Sequence, residues 1–184
     1  RSGALPSAAP DVRACVFDIF GTVVDWHGSV ARDAAAFAQR HGVELDAAAF
    51  ALAWRAGYQP AMQQVRSGEL PWTNIDGLHR RILDGLWARF GLPDSVQESE
   101  REQLNLAWHR LEPWPDVPVG LAALRRARPC ATLSNGNVSL LVDLARHGDY
   151  GWDAVFSAEL FGHYKPDPEV YLGACRLLSL PPVS

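Results

Sequence analysis

The sequence predicts an α/β protein: a parallel-sheet core whose first strand is followed by an inserted helical cap, with the C-terminal part of the core missing. Three observations carry this. A short apolar run from Ala14 ends in Asp18 and is followed by Gly21-Thr22, so the chain leaves a buried strand through a sharp turn. From about Gly28 to Leu111, Ala, Leu, Trp and Phe recur at three- and four-residue steps, the pattern of helices with no strand between them. After Pro113, strand and helix patterns alternate, which implies parallel βαβ units.

The elements follow in order. Breaks near Gly42–Asp46, Ser67–Thr73 and Gly91–Asp94, where Gly, Pro and Ser cluster, divide the helical stretch into roughly four helices. The second of them is read as running from Ala47 to Val65. Three prolines between Pro113 and Pro118 make a stiff return linker. Beyond it a helix is expected over Val119–Ala127, a strand over Cys130–Ser134 and a helix over Val138–His147. A third strand is expected over Ala154–Ser157 and a last helix over Pro168–Leu178. The division is therefore a flexible N-terminal segment (1–13), a core from 14–27 and 113–184, and a cap from 28–112. The sequence stops at Leu180-Pro181-Pro182-Val183-Ser184 where another strand is expected, and the core is read as incomplete.

Composition narrows the function. The chain has 184 residues, 48% of them apolar and 21% charged, as in a packed globular protein. Its net charge of −4 gives no electrostatic case for nucleic acid or an anionic membrane. No apolar run approaches the roughly 18 residues of a membrane span, and the first ten residues lack the apolar core of a signal peptide. Cys15, Cys130 and Cys175 are odd in number and far apart in apolar surroundings. They read as buried free thiols of a cytoplasmic protein. The seven tryptophans are read mainly as packing between helices.

Four segments carry chemistry. In Phe17-Asp18-Ile19-Phe20-Gly21-Thr22, a carboxylate is aimed out of the carboxyl end of a strand, where ligands bind in open α/β sheets. The competing reading, an Asp that only caps a turn, does not explain the whole string through Asp25. Ser134-Asn135-Gly136 ends a strand and opens a helix, either an anion seat beside free N–H groups or an ordinary helix cap. Lys165, in the loop after the third strand, can point at the same end as Asp18 and hold it ionised. Tyr171, one turn into the following helix, either faces the site or packs. Arg55, by pattern alone, is a solvated arginine on a mixed helix face.

These motifs, in this order, resemble the haloacid dehalogenase superfamily, and Trp54-Arg55 in the cap resembles its 2-haloacid dehalogenase branch. The resemblance implies a Rossmann-like core with two more strands than are present here. It implies that Asp18 is a nucleophile attacking a short 2-haloacid such as a haloacetate, forming an ester that water then hydrolyses. Most of the superfamily are phosphatases with a second Asp two places after the first, which protonates the leaving alkoxide. Here that place is Phe20, which cannot give a proton, and a halide leaving group needs none. The N–H groups of Ile19 and Phe20, with Ser134, would clamp the substrate carboxylate. Arg55 and Asn135 would receive the halide, Lys165 would orient Asp18, and Thr22 would brace the loop.

No metal and no cofactor is expected, and the partner is a small-molecule haloacid, with no nucleic acid and no membrane. Apolar residues on the cap are compatible with a homodimer. Two rival readings are a Mg-dependent phosphatase on the same fold and a catalytically silent relative. Phe20 speaks against the first, and Asp18, Arg55, Ser134 and Lys165 together speak against the second.

Overall fold

The computed structural model describes residues 12–182, so the expected flexible segment lies almost wholly outside the described residues. Three strands form a parallel sheet in the order β1-β4-β5: β1 (Cys15–Phe17), β4 (Cys130–Ser134) and β5 (Ala154–Ser157). Register pairs Cys15 with Cys130, Phe17 with Thr132, and Ser134 with Ser157. Every residue of β4 is buried, Thr132 and Ser134 included, as the position of a central parallel strand requires. Helices α6 (Val117–Ala127), α7 (Val138–His147) and α8 (Pro168–Leu177) accompany the strands. The cysteines are free, but only Cys130 is buried; Cys15 and Cys175 are partly exposed, a correction to the reading of three buried thiols.

Between the sheet's first two strands the chain makes its excursion. Strand β2 (Val24–Asp25) leads out and β3 (Glu112–Pro113) leads back, and the two pair antiparallel, Val24 with Pro113 and Asp25 with Glu112. The first prolines of the expected linker therefore belong to a ladder and to the approach of α6. Between β2 and β3 lie α1 (Trp26–His41), α2 (Ala47–Ala56), α3 (Tyr58–Arg66), α4 (Ile75–Trp87), α5 (Glu98–Asn105) and a 3₁₀ turn over Leu106–His109. Asp25 and Asp46 cap α1 and α2 by accepting from the N–H groups of Gly28 and Ala49, each at 2.9 Å.

Five helices replace the four expected, because the segment 47–65 is two helices. Pro60 has no N–H to donate to the carbonyl of Ala56, so the ladder is interrupted there. At the junction, Gly57 approaches α4 so closely that a Cβ would sit 2.6 Å from Ile82 Cγ2. The break turns Tyr58 inward, 4% exposed, three residues after Arg55.

One apolar interior joins cap and sheet. It runs from Ile19, Phe20 and Val24 through Phe37, Phe50, Trp54, Leu78 and Trp108 to Leu140, Leu141 and Leu144 on α7. Polar contacts fix the seam beside it. Arg66 donates to Asp167 at 2.7 Å, the Tyr164 hydroxyl donates to the carbonyl of Thr73, and Asn74 donates to Glu159 at 3.3 Å. The buried His109 places one ring nitrogen 2.9 Å from Asp76 on α4 and the other 2.8 Å from Asp143 on α7. Asn137 adds a 2.8 Å bond to Asp76.

Burial lowers the His109 pKa, but the two carboxylates outweigh it and the net shift is upward. Desolvation likewise raises Asp76, and the bonds from His109 and Asn137 outweigh it, leaving Asp76 below its usual range. A raised histidine stabilises the fold below its unfolded pKa of about 6.5 and loses that contribution as pH rises through the folded value. A depressed carboxylate contributes above about 3.9 and loses it as pH falls through its lower folded value. Urea unfolding is therefore expected to give maximal stability between roughly pH 4 and 6.5 from this contact. Stability should decline towards pH 9, and His109→Gln should flatten that decline. An unchanged slope in the variant would show that His109 is not the group responsible.

Candidate active site

Asp18 follows the last residue of β1, and its side chain is half-exposed at the sheet's carboxyl end. The turn after it depends on Gly21, whose φ of +89° is one that L side chains rarely adopt. Bonds from Gly21 N–H to the Val24 carbonyl (3.0 Å) and from Val23 N–H to the Ile19 carbonyl (2.9 Å) close the loop. The Trp114 indole pins it by donating to the Gly21 carbonyl at 3.1 Å. These turn bonds leave out the N–H groups of Ile19 and Phe20. A Cβ on Gly21 would meet only Trp26, at an ordinary 3.6 Å, so strain alone decides its replacement. Gly21→Ala is expected to destabilise by about 1–2 kcal/mol in thermal melts, and an unshifted melt would mean that the loop relaxes freely.

Lys165 Nζ lies 2.9 Å from Asp18 Oδ1, and the Thr22 hydroxyl donates to Oδ2 at 3.2 Å. Each carboxylate oxygen thus has one partner, and the side chain remains 49% exposed. The loop that carries Lys165 is held by Asn135, whose Oδ1 accepts from the Lys165 N–H at 2.7 Å. The Asn135 amide also lies 3.4 Å from Met62 Sδ on α3. Ser134 is fully buried, and its hydroxyl accepts from the Gly136 N–H at 3.1 Å. Tyr171, on α8, is 44% exposed.

Behind Phe20 the cap builds a box of rings. Phe20 meets Tyr58, His79 and Trp108 edge-on, with centroids 6.3, 6.5 and 6.0 Å away. His79 stacks on Trp108 at 4.1 Å, and Trp26 stacks on the same indole at 6.3 Å. The Arg55 guanidinium sits over Tyr58 at 4.0 Å and over Phe20 and Trp26 at 5.6 Å. Ring faces stabilise a desolvated cation, yet Arg55 Nη1 is buried with no hydrogen-bond partner among the described residues. The same holds for both ring nitrogens of His79 and for Trp108 Nε1. A buried donor left unpaired costs about 1–3 kcal/mol, and here several gather around one guanidinium.

Electrostatics agree with the geometry. Burial pushes the Tyr58 hydroxyl up to about 12, against the pull of Arg55, and Asp18 raises it further. Burial drops His79 to about 3, so its ring is neutral at ordinary pH. The assembly is a half-exposed carboxylate held by Lys165 and Thr22, beside a buried cluster of rings that holds one guanidinium and several unpaired donors. Three side chains of metal-binding type, His163, Asp167 and Glu169, come together on the surface before and within α8, but Asp167 there already pairs with Arg66.

The sequence pattern of haloacid dehalogenase-like hydrolases matches residues 12–183. The chain belongs to this hydrolase family. It is 32% identical over 182 residues to (S)-2-haloacid dehalogenase 1 of Pseudomonas sp. (strain CBS-3), covering 93% of this chain and 73% of that protein. It superposes on a crystal structure of an L-2-haloacid dehalogenase with TM-score 0.88 at 47% identity, covering 93% and 72% of the two chains. A second, described as a defluorinating L-2-haloacid dehalogenase, gives TM-score 0.91 at 42% identity, covering 97% and 75%.

Within this haloacid dehalogenase-like hydrolase, the sequence motifs pointed to Asp18, Thr22, Arg55, Ser134, Asn135 and Lys165. They did not single out Tyr58, His79, Trp26 or Trp108, which line the box. Tyr58 had one usable signal, its place three residues after Arg55, and the helix break at Gly57 obscured it.

Proposed function

We propose that this chain is a hydrolytic 2-haloacid dehalogenase that acts on short haloacids such as haloacetates through an aspartyl ester. The observation that carries this is Phe20. Two residues after the carboxylate, where an alkoxide leaving group would need an acid, stands a buried phenyl ring that also forms a wall of the Arg55 box. The names of the similar dehalogenases support the same reading.

An Asp18 oxygen attacks the α-carbon from the side opposite the halogen. The carbon–oxygen bond forms as the carbon–halogen bond breaks, and the electron pair leaves with the halide. Lys165 and Thr22 hold the carboxylate in line for that displacement. The N–H groups of Ile19 and Phe20, with Ser134, take the substrate carboxylate. Arg55, with Asn135, takes the halide, whose charge develops only in the transition state. Water then adds to the Asp18 carbonyl carbon and releases the 2-hydroxy acid, one proton and the free carboxylate. Configuration at the α-carbon inverts once. Tyr171, exposed on α8, is kept as a further contact for the substrate. Three free cysteines fit a cytoplasmic setting, and a homodimer is retained as the assembly to test.

The test is halide release from bromo-, chloro- and fluoroacetate in EDTA. Release that survives the chelator is expected. No release from any of the three, with phosphate ester hydrolysis appearing on addition of Mg²⁺, would replace this reading by a phosphatase.

A further inference from the structure

We infer that His79 is a neutral hydrogen-bond donor to the departing halide, and that with the indole N–H of Trp108 it sets which carbon–halogen bonds the box can break. This deepens the dehalogenase reading and rests on it. The ring is 1% exposed and enclosed by Phe20, Tyr58, Trp54 and Trp108. Neither nitrogen has a partner among the described residues, although the backbone carbonyl of the same residue accepts from Trp54 Nε1 at 2.9 Å. A histidine serving only the core would pair at least one nitrogen, as His109 pairs both.

Charge favours this assignment. Burial and the nearby Arg55 cation both disfavour a proton on the second nitrogen, while Asp76 opposes them only in part. The ring is therefore an imidazole with one N–H and one bare nitrogen. Arg55 supplies the positive charge of the box, so a neutral donor adds a directed bond without a second desolvated cation. Trp108 Nε1 is donor-only, fully buried and likewise unpaired, on the ring that stacks against His79. Three donors of different geometry, on Arg55, His79 and Trp108, are thus buried without partners among the same packed rings.

The chemical consequence depends on the halogen. Fluoride is the poorest leaving group and the strongest hydrogen-bond acceptor of the halides, so its departure draws most on N–H donors. Bromide leaves readily and is served by the cation and the polarisable rings. A donor at His79 is therefore worth most for the carbon–fluorine bond.

The experiment compares wild type, His79→Phe and His79→Gln on fluoro-, chloro- and bromoacetate. Phe keeps a ring against Trp108 and removes the N–H; Gln restores an N–H. Fluoride release by His79→Phe is expected to fall on the order of 10²-fold, bromide release by no more than about threefold, with partial recovery in His79→Gln. An equal fall for all three halides, or none, would overturn the inference, because a purely structural role affects every substrate alike. Chloride titration of the Asp18→Asn protein at constant ionic strength, followed by tryptophan fluorescence, to which Trp26 and Trp108 contribute, reads the same donor without turnover. Adding His79→Phe is expected to weaken chloride by about tenfold or more. Equal binding in both proteins, or no response in either, would overturn it. Absence of halide release by wild type would remove the dehalogenase reading instead, and the chloride titration would still decide whether His79 donates to an anion.

Discussion

Asp18→Asn is expected to reduce halide release by roughly 10⁴- to 10⁶-fold while leaving the fold intact. The amide carries no charge and is a very poor nucleophile, so the displacement loses its attacking group. Stability should hardly follow, because Asp18 is 49% exposed and its pair with Lys165 is screened by water. Lys165→Ala separates position from reactivity. There the carboxylate remains but loses its 2.9 Å partner, and a fall of about 10²–10³-fold is expected. Steady-state rates beside thermal melts check both. An Asp18→Asn protein that releases halide within tenfold of wild type would exclude the aspartyl ester.

The largest effect on stability is expected from Trp54→Ala. Trp54 is fully buried, packs edge-on against Phe50 and Trp108, and is the residue that ties α2 to α4 through its bond to the His79 carbonyl. Truncation leaves a cavity and an unpaired buried carbonyl, together about 3–5 kcal/mol. For a chain of this length that corresponds to a fall in Tm of roughly 6–20 °C. Because the lost contact also positions His79 and the adjoining Arg55, activity should fall at temperatures where the variant is still folded. Trp54→Phe should recover most of the packing but not the bond. A melt unchanged in Trp54→Ala would mean that the cap interior repacks around the loss.

Much of the architecture was legible because it is written locally. A strand that ends in Asp18 before Gly21-Thr22, and a Lys165-Pro166 step after β5, place their side chains by chain geometry alone. The structure duly sets Thr22 and Lys165 against Asp18. Strands β4 and β5 and helix α7 lie where apolar runs and turn residues put them. The aromatic box was not legible, because it is written globally. Trp26, Arg55, Tyr58, His79 and Trp108 come from five separate elements, and helical periodicity does not say which of them meet; by pattern alone it leaves Arg55 in solvent. Phe20 was read from its sequence position as a residue that cannot give a proton, but nothing in the chain names the three rings and one cation it meets. Asn135 illustrates a third case. Its place beside Ser134 suggested a ligand contact, while its observed bonds hold the Lys165 loop and reach Met62.

The two-residue ladder between β2 and β3 has a consequence of a different kind. Since Val24 lies beside Pro113 and Asp25 beside Glu112, the whole excursion from α1 to the 3₁₀ turn is, for the sheet, no more than a long hairpin loop. Closing such a loop costs only slowly more as it lengthens. Its length is therefore cheap in chain entropy, and what holds the helices to the sheet is the shared apolar interior and the polar seam. The contacts of Asp18 with Thr22 and Lys165 lie outside that excursion, while the cap-borne rings and donors around Arg55 lie within it, so the two halves of the site are encoded in separate stretches of the chain.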